Sequence, residues 1–294
     1  MNVHGNKYDL SGKNIIITGA TSGIGLAAVK LLVEAGAFVI GVGRSEQRNQ
    51  KAKESVLSVH PNGKLRYLLA DLASQRQVRA LAVKITRLLE SLKLPYINVL
   101  VNNAGAYLER KQMTEDGIEK IFAVNHLAPF LLSHDLLPLI IKADHARVLT
   151  VSSYSHYTTP LCLKRISDPW PYIGLLAYKR SKLCNVLFAY AVNRRYENVS
   201  GFAVDPGLVN TAIASKGSNG ISHWVWRIRR KQGTSAEVPA RTILYLCGEE
   251  NIPCDQGYYF KNCKPKTPSK NARRSDLSAE LWSLSSRLTK ITWK

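Results

Sequence analysis

Apolar positions fall into short β-rich runs that alternate with longer stretches of helical period. Asn14–Thr18 is a continuous apolar run, and after a cluster of glycines Ile24, Ala27, Leu31 and Ala35 recur at helical spacing until Gly36. Phe38–Val42, Arg66–Ala70 and Asn98–Val101 predict the second, third and fourth strands, with a helix over Gln75–Leu92 between the last two. A long helical pattern from Gly117 to about Ile141 precedes a fifth strand, Arg147–Val151. Tyr178–Tyr196 predicts a helix and Gly201–Val204 a sixth strand. Thr234-Ser-Ala-Glu237 has the form of a capping box opening a helix to about Cys247. Tyr258–Phe260 predicts a short last strand and Ser278–Ile291 a terminal helix.

Parallel strands need crossover connections, so this alternation predicts an α/β fold. We expect a single Rossmann-like, doubly wound parallel sheet with helices on both faces. Its ligands bind beyond the carboxyl ends of the strands. Residues 1–10 read as a head and 11–262 as the domain. Residues 263–294 read as a basic C-terminal extension with a helix, in which Pro265–Arg274 is the expected mobile stretch.

The chain has 294 residues, 45% of them hydrophobic, enough for one large core. No apolar run approaches the ~20 residues that cross a bilayer, and Met1–Lys13 is too polar for a secretory signal. The five cysteines form no CxxC pair, which argues against a zinc site or disulfide framework. A cytoplasmic location, with or without peripheral membrane contact, is the expectation. The net charge of +20 predicts attraction to something anionic: a phosphorylated cofactor, acidic lipid or nucleic acid. No recognised nucleic-acid motif accompanies it, so no specific nucleic-acid partner is expected.

Thr18-Gly19-Ala20-Thr21-Ser22-Gly23-Ile24-Gly25 joins the first strand to the first helix. Glycines let backbone N–H groups approach a pyrophosphate, and the helix N-terminus adds partial positive charge. The second strand ends Gly43-Arg44-Ser45, with no acid to accept a ribose 2′-OH. Arg44 can instead pair with a 2′-phosphate and Ser45 can donate a hydroxyl, which favours NADP(H) over NAD(H). The alternative for Arg44 is a solvated loop arginine. Tyr178 and Lys182 are four apart, so they share a helix face. A tyrosine pKa near 10 is too high for easy proton exchange at neutrality, and a nearby cation would lower it.

These segments resemble the short-chain dehydrogenase/reductase family from about Leu10 to Phe260. Residues 18–25 match its T-G-x-x-x-G-x-G loop. Asp71-Leu72 matches its adenine-pocket pair, Asn102-Asn103-Ala104-Gly105 its N-N-A-G segment, and Pro206-Gly207 its P-G after the sixth strand. The resemblance implies a catalytic set of Asn125, Ser153, Tyr178 and Lys182. In that set Ser153 holds the substrate oxygen, Tyr178 carries the proton, Lys182 favours the phenolate and binds ribose, and Asn125 holds a water. Asn125 also has a plain alternative, a kink residue before Pro129. Ser152 is the rival serine, and neighbours on a strand face opposite ways. The resemblance also implies cofactor contacts from Gly19, Thr21, Ser22, Gly23, Ile24, Gly25, Arg44, Ser45, Asp71, Leu72, Asn103, Ala104, Gly105, Tyr178, Lys182, Pro206, Gly207, Val209 and Thr211.

Within the family, the long segment between Ser153 and Tyr178 and the run Val204–Thr211 resemble the retinol-dehydrogenase-like branch. That branch acts on lipophilic alcohols and aldehydes: retinoids, steroids and polyprenoids. It implies a lipophilic small-molecule substrate, and a homodimer stays open. The lid of this fold would span about 211–234. There, Ile221–Lys231 mixes tryptophans with four cations, which suits either an anionic membrane interface or a lid over the substrate. A non-catalytic NADP sensor or scaffold is the alternative function, and the intact tyrosine–lysine pair argues against it.

Overall fold

The computed structural model describes residues 8–209, 235–254 and 257–293. Seven parallel strands and one antiparallel strand form a single sheet in the order β3-β2-β1-β4-β5-β6-β7-β8. The strands are β1 (Asn14–Thr18), β2 (Phe38–Gly43), β3 (Leu65–Leu69), β4 (Val99–Asn102), β5 (Ala146–Val151), β6 (Val199–Val204), β7 (Tyr259–Lys261) and β8 (Lys264–Pro265). The strand order reverses between β1 and β4, which opens the crevice where ligands of such sheets bind.

Burial on both faces explains the unbroken apolar strands. In β1, Ile15 and Ile17 face one core and Ile16 the other. The first core is covered by α1 (Gly23–Glu34) and by the helix Glu237–Gly248. The second is covered by α3 (Gln75–Ser91) and α5 (Ala128–Ile140). The helix α6 (Gly174–Arg195) carries a third cluster, packed against the C-terminal helix Ser275–Thr289. We number the helices Glu237–Gly248 and Ser275–Thr289 α7 and α8.

Four local expectations are corrected. The polar helix α2 (Glu46–Leu57), with only Asn49, Ala52 and Val56 buried, escapes the periodicity. The long helix does not start at Gly117, whose φ of 71° belongs to a turn. It starts as the short α4 (Lys120–Phe122), passes through a π turn over Ala123–Leu127 and continues as α5. Pro129 lacks the N–H that would bond back to Asn125, and the π turn absorbs that break. The helix α7 begins only at Glu237, with Ser235 Oγ accepting the Glu237 N–H at 3.3 Å. Thr234 lies outside the described residues.

The stretch Pro265–Arg274 is not a loose tail. It turns back through β8, buries Ala272 and bonds to the turn after β5 and to the end of β6. The helix α8 then seals the far side, with Trp282 against Phe130 and Phe188. Among the described residues, no helix is long and apolar enough to cross a membrane.

Candidate active site

The loop after β1 and the loop after β4 interlock at the switch point. Thr18 Oγ1 accepts the N–H groups of Asn103 and Ala104, each at 3.1 Å. Asn103 Nδ2 donates to the carbonyls of Thr18 at 2.8 Å and Gly19 at 3.2 Å. Backbone meets backbone here without room for side chains. A Cβ on Gly19 would sit 2.8 Å from Ala104 Cα, and one on Gly25 would collide with the Gly19 carbonyl.

The start of α1 differs from the next two helices. Ser45 Oγ caps α2 by accepting the Arg48 N–H, and Ser74 Oγ caps α3 by accepting from Gln77. Ser22, at the equivalent place on α1, makes no side-chain cap bond, and the first turn holds no acid. The donors of that turn and its share of the helix dipole are left for an anion. Gly23, at φ 54°, shapes the approach. These residues fit a dinucleotide pyrophosphate.

The end of β2 also fits the sequence reading. A Cβ on Gly43 would collide with Asn49 Oδ1 and lie 2.6 Å from Thr21, so no acid can occupy position 43 without rearrangement. Arg44 is exposed beside it. Ser45 Oγ accepts one bond and keeps its proton to donate. Asp71 folds on itself, its Oδ1 accepting the Ala73 N–H at 3.0 Å, and Leu72 packs on the second core.

On the other side of the crevice, Ser153, Tyr178, Lys182 and Asn125 converge. Ser153 stands close enough to the Tyr178 hydroxyl to lower its proton affinity. Ser152 turns away and donates to the Lys182 carbonyl at 2.7 Å, fully buried. Lys182 Nζ donates to the Val151 carbonyl at 3.0 Å and stands 5.6 Å from the Tyr178 ring centroid. Gly105 lies alongside, where an added Cβ would come within 3.4 Å of Nζ and 3.6 Å of Asn125 Oδ1.

Asn125 takes the plainer of its two sequence readings, at a break in the helix before Pro129. It sits in the π turn, and its side chain clamps the loop after β4. Its Oδ1 accepts the Ala106 N–H at 2.6 Å, while Nδ2 donates to the Ala106 carbonyl at 3.0 Å and to Ser181 Oγ at 2.9 Å. Pro206 and Gly207 follow β6 at the same edge, with Gly207 at φ 69° and Val209 packed on the first core. Thr211 and the segment 221–231 lie outside the described residues.

The electrostatics depart from the simple expectation. Burial pushes the Tyr178 hydroxyl up to about 12, Ser153 pulls it back and Asp205 adds a further upward push. Burial lowers Lys182 to about 8. Desolvation is thus the largest influence on both groups.

Sequence reasoning missed Tyr107, His156, Asp205 and Lys266. Tyr107 is buried and stacks edge-on against Tyr178 at 5.9 Å. His156 Nδ1 lies 2.8 Å from the Ser153 carbonyl. Tyr107 directly follows the N-N-A-G-A run, a usable signal; the others are joined only by the fold.

The short chain dehydrogenase family profile matches residues 13–221, more than half of the chain. The chain belongs to the short chain dehydrogenase family. It is 34% identical over 301 residues to short-chain dehydrogenase TIC 32 A, chloroplastic, of Brassica napus, covering 96% of this chain and 90% of that one. It is 31% identical over 287 residues to retinol dehydrogenase 12 of Mus musculus, covering 97% and 89%. A crystal structure of an uncharacterized protein from Mycobacterium paratuberculosis superposes with a TM-score of 0.75 at 28% identity, covering 98% of this chain and 97% of that one. As a member of this dehydrogenase family, the chain is a nucleotide-binding oxidoreductase with the retinol-dehydrogenase-like character read from its sequence.

Proposed function

We propose that the protein is an NADP(H)-dependent oxidoreductase that interconverts a lipophilic alcohol and its carbonyl compound. The observation that carries this reading is the buried Lys182 amine, held by the Val151 carbonyl at 3.0 Å and standing 5.6 Å from the Tyr178 ring centroid. Bound across the crevice, the nicotinamide would supply or accept the hydride. Ser153 holds the substrate oxygen and stabilises charge developing on it. Tyr178 gives its proton to that oxygen in carbonyl reduction and takes it back in alcohol oxidation. With its proton affinity raised, Tyr178 is ready as an acid at neutral pH. Reduction should therefore fall, and oxidation rise, as the pH increases.

Lys182 steadies the phenolate and binds ribose hydroxyls. Asn125 fixes the loop that passes Lys182 and holds a water on the proton path. Arg44 and Ser45 hold the 2′-phosphate, since Gly43 leaves no acid to repel it. The lipophilic assignment is supported by exposed apolar side chains after β5 and β6: Trp170 and Ile173 on the loop before α6, Leu175 in the first turn of α6 and Leu208 after β6. Retinol dehydrogenase 12 also bears a name pointing to a retinoid alcohol.

The test is to follow NADPH and NADH oxidation by the purified protein with all-trans-retinal, a steroid ketone and a polyprenal. Turnover of at least one with NADPH, and slower turnover with NADH, is expected. Consumption of neither cofactor with all three substrates would overturn the assignment.

A further inference from the structure

The C-terminal stretch that follows β8 reaches back under the catalytic serine and tyrosine. Lys266 Nζ lies 3.2 Å from Asp205 Oδ2, and it stands 5.0 Å from the ring centroids of both Tyr154 and Tyr157 and 5.9 Å from that of Tyr259. The Asp205 side chain has no exposure at all, and its Oδ1 accepts the Gly207 N–H at 3.0 Å. Tyr157 donates to the Thr267 carbonyl, and Ser269 N–H donates to His156 Nε2 at 3.1 Å. Since Nε2 accepts, the His156 proton sits on Nδ1, from which it donates to the Ser153 carbonyl. One short stretch of chain thus grips the Ser153 turn and the Asp205–Gly207 turn together.

The register places these groups beside the turn that carries Ser153. Val151 of β5 lies opposite Val204 of β6, so Ser153 and Asp205 leave adjacent strand ends, and Ser152 N–H donates to the Val204 carbonyl at 2.8 Å. We infer that the Asp205–Lys266 ion pair tunes the proton affinity of Tyr178, with Lys266 as a positioning residue that offsets the carboxylate's field. This rests on the reading of Tyr178 as the proton carrier. A buried carboxylate opposes a nearby phenolate, and a cation paired with it cancels much of that opposition.

The other titratable groups around the cluster leave this pair in charge. On the turn after β5, burial and the Ser269 N–H donated to Nε2 keep His156 neutral, against the opposing pull of the Ser153 carbonyl. Burial and Asp205 push Tyr157 up to about 12 and Tyr259, on β7, further still. Burial likewise raises Tyr190 on α6. Tyr154 offers its ring to Lys266. Lys182, on α6, is the cation on the opposite side of Tyr178.

Both Asp205→Asn and Lys266→Met break the same ion pair, so a purely structural role would move Tyr178 in the same direction in each. The electrostatic role requires opposite directions. The measurement is an NMR titration of protein labelled with [13Cζ]tyrosine, with and without NADP+. The Tyr178 resonance is identified by its loss in Tyr178→Phe. Asp205→Asn should lower the ionisation midpoint by about half to one pH unit, and Lys266→Met should raise it by a similar amount. The double variant should fall between the two. Lys266→Gln replaces Lys266→Met if the latter fails to fold. Shifts of the same sign, or no shift in either variant, would overturn the inference. Tyr178→Phe retaining turnover would instead overturn the catalytic reading while leaving these shifts interpretable.

Discussion

The two walls of the crevice are built in different ways. The wall made by β1, β2 and β4 presents mainly backbone: the Thr18 and Asn103 side chains bond to main-chain groups and stitch two loops together, and glycines stand where a Cβ would collide. The wall made by β5, β6 and α6 is side chain against side chain. It gathers Asn125, Ser153, Tyr178, Lys182, Asp205 and Lys266 from five separate stretches of chain. The first arrangement tolerates almost no added atoms. The second tolerates substitution sterically but depends on specific polar atoms.

That contrast can be broken most visibly at the serines. Ser153→Ala should lower turnover about 100-fold or more, as for loss of a preorganised donor to a developing oxyanion. Ser152→Ala loses only the bond to the Lys182 carbonyl, and should cost about 1 kcal/mol of stability in urea titrations with turnover nearly kept. Equal losses of rate would mean that the two serines do not face opposite ways.

On the backbone wall a single methyl should suffice. Gly25→Ala should weaken NADPH binding about 10- to 100-fold by calorimetry, because the clash is with the Gly19 carbonyl and not with a movable side chain. Unchanged affinity would show that the two loops can part. Arg44→Asp, at the exposed margin of the same wall, should narrow the preference for NADPH over NADH by about 10-fold or reverse it. Equal affinities for the two cofactors in the unmutated protein would remove the case for Arg44.

The legibility of the two walls differs for the same physical reason. Where backbone geometry is at stake, the residue type is dictated locally. The runs 18–25, 102–105 and 206–207 could therefore be read as they stand, and so could the strands they follow. On the side-chain wall, residue spacing alone shows the Tyr178–Lys182 pair on one helix face, while Ser153 and Asn125 are legible only through the family resemblance. Asp205 and Lys266 lie sixty residues apart and meet only once β7 and β8 have turned the chain back. Nothing in the polar, basic run 265–274 announces that Lys266 will sit among three tyrosine rings. The helix α2 was missed because it buries a single narrow edge. The π turn at Asn125 was hinted at by Pro129, but its side-chain clamp on Ala106 was not.

A smaller effect tests the packing behind the side-chain wall. His126 is stacked on Phe122, with Nε2 bonded to Ser285 of α8, and burial lowers its pKa to about 3. Burial lowers His156 as well. Each histidine is folded in its neutral form. The stability this gives is present above the unfolded value near 6.5 and is lost as the pH falls from there towards the folded value. Urea midpoints should drop between pH 7 and pH 5, by up to about 1.4 kcal/mol per unit for each histidine. His126→Leu should flatten part of that slope.

The central claim is that the cofactor's phosphates are held by one wall and the proton is moved by the other. Tyr178→Phe, with turnover of the best carbonyl substrate and NADPH affinity measured on the same preparation, tests it most directly. The account predicts turnover lower by about 1000-fold or more, as for removing a positioned acid–base group together with its oxyanion contact, with NADPH affinity unchanged within a few-fold. Turnover close to that of the unmutated protein, or a parallel collapse of NADPH binding, would contradict it.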